Sequence, residues 1–289
     1  MSLVLTILVA IFTSKTANAF DHTYKNWGQV LGKHVKPISK STQVDYFGIH
    51  KDPEALKKFI QEIESLQEKD FDAFSENEKV CFLINSYNAL TVSLILQHHT
   101  PQKPLKSIKD IGSLFKSTWK VKFFKLFGKE QYLDHLEHEI ARKNFELPLM
   151  HFGFNCASIG CPAIQNKPFL PSTLESQLTA AAQDFLSDQS RNIYDEKSNS
   201  LQVSAIFKWY GDDFDKSKKY GPLKVFLARH MNLNPKVQEQ VREGKVPIKF
   251  FGLQLESQSV GCQIIVSKLR IHQTLIRVQN SKVAVLYKY

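Results

Sequence analysis

The sequence predicts an α+β protein: a single compact mixed domain with a buried central helix and a small antiparallel sheet. Three observations carry this expectation. A capping box at Ser75–Glu78 opens a run from Val80 to Leu96 whose apolar side chains cover nearly the whole circumference of a helix, the pattern of a buried helix. Short apolar stretches at Trp119–Phe127 and Leu201–Phe207 interrupt the helical patterns and read as strands. No internal repeat or low-complexity linker divides the 289 residues, and an apolar fraction of 43% against 23% charged residues suffices for a full core without cross-links.

The elements follow in order. Residues 1–19 read as an export signal: Leu3 to Phe12 is an apolar run too short to span a membrane, and Ala17-Asn18-Ala19 is a small-x-small cleavage site, although no positive charge precedes the run. Residues 20–75 form an entry region of short helices, the best of them Glu54 to Leu66. The central helix then runs to about Gln97. It carries Asn85 and Asn88, three apart, whose buried amides must be hydrogen-bonded and either tie down adjacent loops or face a cleft. Pro101 and Pro104 break the chain, and Trp119 to Phe127 is expected as a strand pair.

Gln131 to Asn144 reads as a second helix with Leu133, Leu136, Ile140 and Ala141 on its apolar face. Glu137 falls inside that stripe, and Asp134 and His138 lie at its edge, four apart and in mutual reach. A core-facing carboxylate needs a partner. That partner is either a lysine or arginine, or Glu137 is a catalytic or orienting acid. Ser172 to Glu175 reads as another capping box, opening a helix with Leu174, Leu178, Ala181, Ala182, Phe185 and Leu186 on one side. Leu201 to Phe207 is followed by an aromatic turn, Lys208-Trp209-Tyr210, and by Asp212 and Asp213, and Pro222 and Pro235 each open a further helix.

Most of the reactive side chains sit in one segment, His151-Phe152-Gly153-Phe154-Asn155-Cys156-Ala157-Ser158-Ile159-Gly160-Cys161-Pro162, whose glycines and proline exclude a regular helix. Three chemistries fit it. In the first, Cys156 is a nucleophile, activated by His138 or His151, with Glu137 or Asp134 orienting His138 and with Asn155, Asn85 or Asn88 as an oxyanion donor. The reaction is then hydrolysis or acyl transfer on an amide or thioester. In the second, the chain is a binding or structural module closed by a Cys156–Cys161 disulfide, which export to an oxidising compartment allows. In the third, His151, Cys156 and Cys161 hold zinc, but no fourth ligand is evident. The sequence therefore calls for no metal and no cofactor.

The formal charge of +10 is dispersed. Lys15 lies in the signal segment, five basic residues against Glu256 lie beyond Leu253, and the remaining lysines are scattered among acids. Neither an RNA-binding aromatic signature nor a zinc-finger spacing is present, so a small molecule or peptide, not nucleic acid, is the expected partner. No membrane span is expected.

Four ordered motifs carry a family resemblance. Cys81-Phe82-Leu83-Ile84-Asn85-Ser86-Tyr87-Asn88-Ala89-Leu90, the helix from Leu133 to Ile140, the segment His151 to Pro162, and Ile206-Phe207-Lys208-Trp209-Tyr210-Gly211-Asp212-Asp213-Phe214 together resemble the domain-of-unknown-function 547 family over about residues 20–252. The resemblance implies a bacterial exported member of that family and names no activity. It places motif positions on Asn85, Tyr87, Asn88, Glu137, His138, His151, Asn155, Cys156, Ser158, Cys161, Trp209, Tyr210 and Asp213. Of these, Asn85, Asn88, Tyr87, Trp209 and Tyr210 are the expected substrate contacts. Cys81 and Leu83 depart mildly from the family pattern, which has alanine and tryptophan there.

The departure after Phe251 is larger. The family closes on a tyrosine-rich strand, and a one-base shift would let the codons of Gly252-Leu253-Gln254-Leu255-Glu256 read Asp-Tyr-Ser-Leu-Asn. Residues 253–289 are therefore expected to be an atypical, dispensable tail translated out of frame.

The exported form is expected to begin at Phe20. N-terminal sequencing of periplasmic protein checks this, and a cytoplasmic protein retaining Met1 would contradict it.

Overall fold

The computed structural model describes residues 19–38, 41–100, 105, 107–112, 117–158 and 160–250. The expected signal segment, apart from Ala19, and the atypical tail lie outside these described residues.

The first unit is a helix, α1 (Lys25–His34), that runs into the antiparallel pair β1 (Val35–Ile38) and β2 (Ser41–Val44). Three short helices follow: α2 (Tyr46–Lys51), α3 (Glu54–Ser65) and α4 (Glu68–Asp72). Phe20 packs on the rings of Tyr24, Phe74 and Phe82, so the start of the described chain is fastened to the core.

The central helix is α5 (Glu76–His98). Ser75 and Glu78 form the expected reciprocal cap: the Glu78 amide donates to Ser75 Oγ, and the Ser75 amide donates to the Glu78 carboxylate. From Val80 to Val92 every residue is buried. By length and composition alone α5 could cross a membrane, but 83% of its apolar window is buried inside the protein, as in a core helix.

The expected strand pair at Trp119–Phe127 is displaced. Trp119 lies in a 3-10 turn, and the strands are β3 (Phe124–Leu126) and β4 (Lys129–Gln131). Phe127 and Gly128, at φ 54° and 73°, form the two-residue turn between them. Such turns need positive φ at both positions, which glycine adopts freely. Phe127 tolerates it while its ring packs 5.3 Å from that of Phe71.

The expected helix over Gln131–Asn144 has irregular winding. It becomes helical at Leu133, takes π spacing over His135–Ala141 and closes in α6 (Arg142–Asn144). Single π turns inside helices recur at functional sites. A 3-10 turn at Pro148–Phe152 and the cysteine segment then lead to α7 (Leu174–Leu186). The expected capping box at Ser172 is absent. Thr173 occupies the cap position without a side-chain cap bond, Gln177 Oε1 accepts from the Leu170 amide and Thr173 Oγ1, and Glu175 reaches out to Lys219.

The last sheet has the order β5 (Ile193–Asp195), β6 (Ser200–Val203), β7 (Ile248–Phe250), antiparallel and then parallel. The antiparallel pairing is thus spread over three small sheets. Between β6 and β7 run α8 (Ile206–Lys216), α9 (Leu223–His230) and α10 (Pro235–Arg242), the last two opened at Pro222 and Pro235 as expected. The expected strand to Phe207 and the aromatic turn after it are corrected. Pairing ends at Val203, Ser204 Oγ accepts from the Ile206 amide, and Lys208-Trp209-Tyr210 lies in α8. Ile206, Tyr210 and Phe214 then share one helical face.

Both buried asparagines of α5 bind backbone. Asn85 donates to the Phe169 carbonyl and accepts from the Phe169 amide, at 2.8 and 3.0 Å. Asn88 donates to the Gly153 carbonyl and accepts from the Asn155 amide, at 2.8 and 2.9 Å. Gly153 makes the approach possible: a Cβ there would meet Ile84 at 3.0 Å and Leu178 at 3.2 Å. Replacing Asn88 by alanine leaves a buried carbonyl and a buried amide unpaired, at roughly 1–3 kcal/mol each. Denaturant unfolding of Asn88→Ala should show a loss of about 2–6 kcal/mol; a loss under roughly 0.5 kcal/mol, the size of an ordinary surface change, would contradict the tie.

Candidate functional site

The site is built where the Pro148–Phe152 turn, the π-wound helix and α8 meet. His151 is 2% exposed. Its ring stacks on Tyr210 with centroids 3.8 Å apart and planes 14° apart. Its Nε2 lies 2.7 Å from Asp213 Oδ2. Tyr210 and Asp213 are three apart on α8, so helical winding turns both toward the same imidazole.

Asp213 is shared. Arg142 grips it as a fork, Nε to Oδ2 at 2.8 Å and Nη2 to Oδ1 at 2.9 Å, the bidentate geometry that makes such pairs strong. The guanidinium also sits 4.9 Å from the centre of the Tyr210 ring, and its Nη1 is 3.2 Å from His138 Nδ1. His138 Nε2 faces Asp134 at 4.0 Å.

Glu137 is buried, and the partner it requires is phenolic. Tyr210 Oη donates to Oε1 at 2.7 Å, and the Tyr87 phenol lies within reach of the carboxylate's charge. Burial and then the Glu137 charge push both phenols well above their usual range, so both remain donors. Glu137 thus binds Tyr210, and His138 is held by Asp134 and Arg142. Glu137 inside the buried stripe, and Asp134 facing His138 at its edge, are where helical spacing places them, even though the segment takes π winding.

Protonation follows from burial and charge. Burial raises Asp213, but hydrogen bonds from His151 and Arg142 outweigh it and hold the carboxyl far below the usual range. Arg142 is held above its ordinary value, first by its bond to Asp213. Burial lowers His151, with the Asp213 bond opposing it, so the neutral ring is favoured. A neutral ring that gives its Nε2 proton to Asp213 keeps its lone pair on Nδ1. That atom is buried and has no hydrogen-bond partner among the described residues. The His138 Nδ1 lone pair, in contrast, accepts from Arg142. Of the two histidines proposed as base, His151 is the one with a lone pair to offer.

Five residues on, Cys156 and Cys161 are joined by a disulfide with Cα atoms 6.1 Å apart. Each cysteine is half-buried, whereas Asn155, Ala157 and Pro162 are buried. Both thiols being in one bond, the zinc set of His151 and two thiolates is not formed. Asn155 shapes the loop: its Nδ2 donates to the Pro162 carbonyl and its Oδ1 accepts from the Ala157 amide, where φ is 54°. Arg191 Nη1 donates to the Cys161 carbonyl at 2.8 Å, and Asp188 holds Arg191. Tyr87 meets Phe154 edge-on at 5.0 Å, which links the carboxylate cluster to this loop. Trp209, on the outer side of α8, is 52% exposed.

Arg142 and the Asp188–Arg191 pair were not anticipated from the sequence. A basic residue four after His138 on one helix was a usable signal for Arg142. Nothing local marks Arg191 as the residue that binds the Cys161 carbonyl, 30 positions before it.

Residues 71–186 match the family model described as "Protein of unknown function, DUF547". The resemblance to that family therefore holds across the central helix, the π-wound helix, the cysteine loop and α7. No curated protein and no solved structure matches the chain.

The buried position of His151 sets its titration. Its folded-state pKa lies below the unfolded value of about 6.5. The unfolded ring therefore takes up the proton first. The associated stability is fully present above that pH and is lost as the pH falls toward the folded midpoint. Site-resolved NMR titration should place the His151 midpoint below about 6.5, and a midpoint at or above it would contradict the assignment.

Proposed function

We propose that this chain is an exported enzyme that uses the Cys156 thiol, once freed from its disulfide, to attack an amide or thioester carbonyl, as a hydrolase or acyl transferase. The observation that carries the reading is the buried His151 ring, fixed by Asp213 through Nε2 and left with an unpartnered Nδ1 five residues before the cysteine. In this reading Nδ1 takes the thiol proton, the thiolate adds to the carbonyl, and the imidazolium returns the proton to the leaving group. Water or a second acceptor then releases the acyl group from sulfur.

Asp213 stabilises the imidazolium, and Arg142 keeps Asp213 ionised and aimed. Glu137 fixes Tyr210, on which the imidazole stacks. The amides of Asn85, Asn88 and Asn155 are spent on backbone groups, which supports loop positioning over substrate contact. Trp209 is the exposed candidate for a substrate contact. The expected substrate is a small molecule or peptide.

The second reading, a non-catalytic module, is favoured by the disulfide itself. One experiment separates the two. After reduction with dithiothreitol, limiting iodoacetamide should label Cys156 before Cys161, and His151→Ala should slow that labelling by at least about tenfold, a modest share of the usual effect of a general base. Equal labelling of the two cysteines, unaffected by His151, would favour the module.

A further inference from the structure

We propose that the Cys156–Cys161 disulfide is an exchange site for a partner that presents two thiols, a dithiol reductase, and that this exchange releases the thiol of the acyl-transfer reading, on which the inference rests. Five hydrogen bonds hold the loop. The Asn155 amide donates to Asn88 Oδ1 at 2.9 Å, Asn155 Nδ2 to the Pro162 carbonyl at 2.7 Å, and the Ala157 amide to Asn155 Oδ1 at 3.0 Å. The Cys161 amide donates to the Ser158 carbonyl at 3.1 Å, and Arg191 Nη1 to the Cys161 carbonyl at 2.8 Å. These bonds tie both arms of the loop, and none passes through sulfur.

The loop is therefore held without the cross-link. A ring with four intervening residues removes less chain entropy from the unfolded state than a long loop does, and a core of this size needs no staple. The two cysteines nonetheless reach solvent while Asn155, Ala157 and Pro162 around them are buried. A disulfide that is accessible, short-looped and redundant for loop shape suits exchange better than support.

A partner thiolate attacks Cys161 Sγ, the sulfur–sulfur bond breaks, and its electron pair leaves on Cys156 Sγ as a thiolate. The partner's second thiolate attacks its own sulfur in the mixed disulfide and expels Cys161. Two electrons and two protons pass from the partner dithiol to the chain, which ends as a dithiol while the partner ends as a disulfide.

The test uses the purified full chain with thioredoxin, thioredoxin reductase and NADPH, without denaturant. The disulfide should open with stoichiometric loss of NADPH and gain of two mass-tagged thiols. The opened chain, and separately Cys161→Ser, should keep a cooperative thermal transition and protease resistance. A disulfide that opens only in denaturant, or whose loss abolishes the transition in either case, would overturn the proposal. Failure of the acyl-transfer reading is distinguishable: labelling after excess dithiothreitol would then lack histidine dependence, while the thioredoxin reaction proceeded unchanged.

Discussion

The carboxamide of Asn88 holds the rest of the site in place. It projects from the buried central helix and bonds two backbone groups of one loop, the Gly153 carbonyl and the Asn155 amide. Inside a core those groups have no water to turn to, so the pairing fixes where the chain passes between His151 and Cys156. Asn85, three residues earlier on α5, does the same for Phe169. The segment from Gly153 to Phe169 is thus anchored at both ends to one rigid helix. Thr42 adds a bond to the Ile164 carbonyl between them.

On this frame a buried polar cluster is balanced by pairing. Asp213 is surrounded by donors, two from Arg142 and one from His151, and stays ionised despite burial. Glu137 accepts from the Tyr210 phenol, which burial keeps protonated. Partly satisfied networks in a low dielectric are costly, so an unpaired nitrogen within one stands out. His151 Nδ1 is such an atom. The disulfide closes the nearby loop, and the chemistry proposed for the protein depends on opening it.

Much of the scaffold was legible in the sequence because local physics determines it. The reciprocal Ser75–Glu78 cap and an all-round apolar helix mark α5 to within a residue of its end. Pro222 and Pro235 mark the helices they open. The Cys156–Cys161 link was one of three readings that the segment allowed. Elements decided by tertiary contact were misread. Ser172 and Glu175 have cap spacing, but Gln177 and Lys219 take the bonds. Trp209 and Tyr210 suggested a turn, while Ser204 starts a helix that packs Ile206, Tyr210 and Phe214 inward. The winding of His135–Ala141 has no periodic signature, so Glu137 could be read as inward but not matched to Tyr210. The bond between His151 and Asp213 joins residues 62 apart, which no spacing rule reaches.

The central claim is that His151 and Asp213 act on Cys156 as one unit. A double-mutant cycle on the alkylation rate of the reduced protein measures this most directly, using His151→Ala, Asp213→Asn and the pair. If the carboxylate works through the imidazole, Asp213→Asn slows the reaction in the parent and has no further effect once His151 is gone. Independent, multiplying effects of the two substitutions would contradict the account.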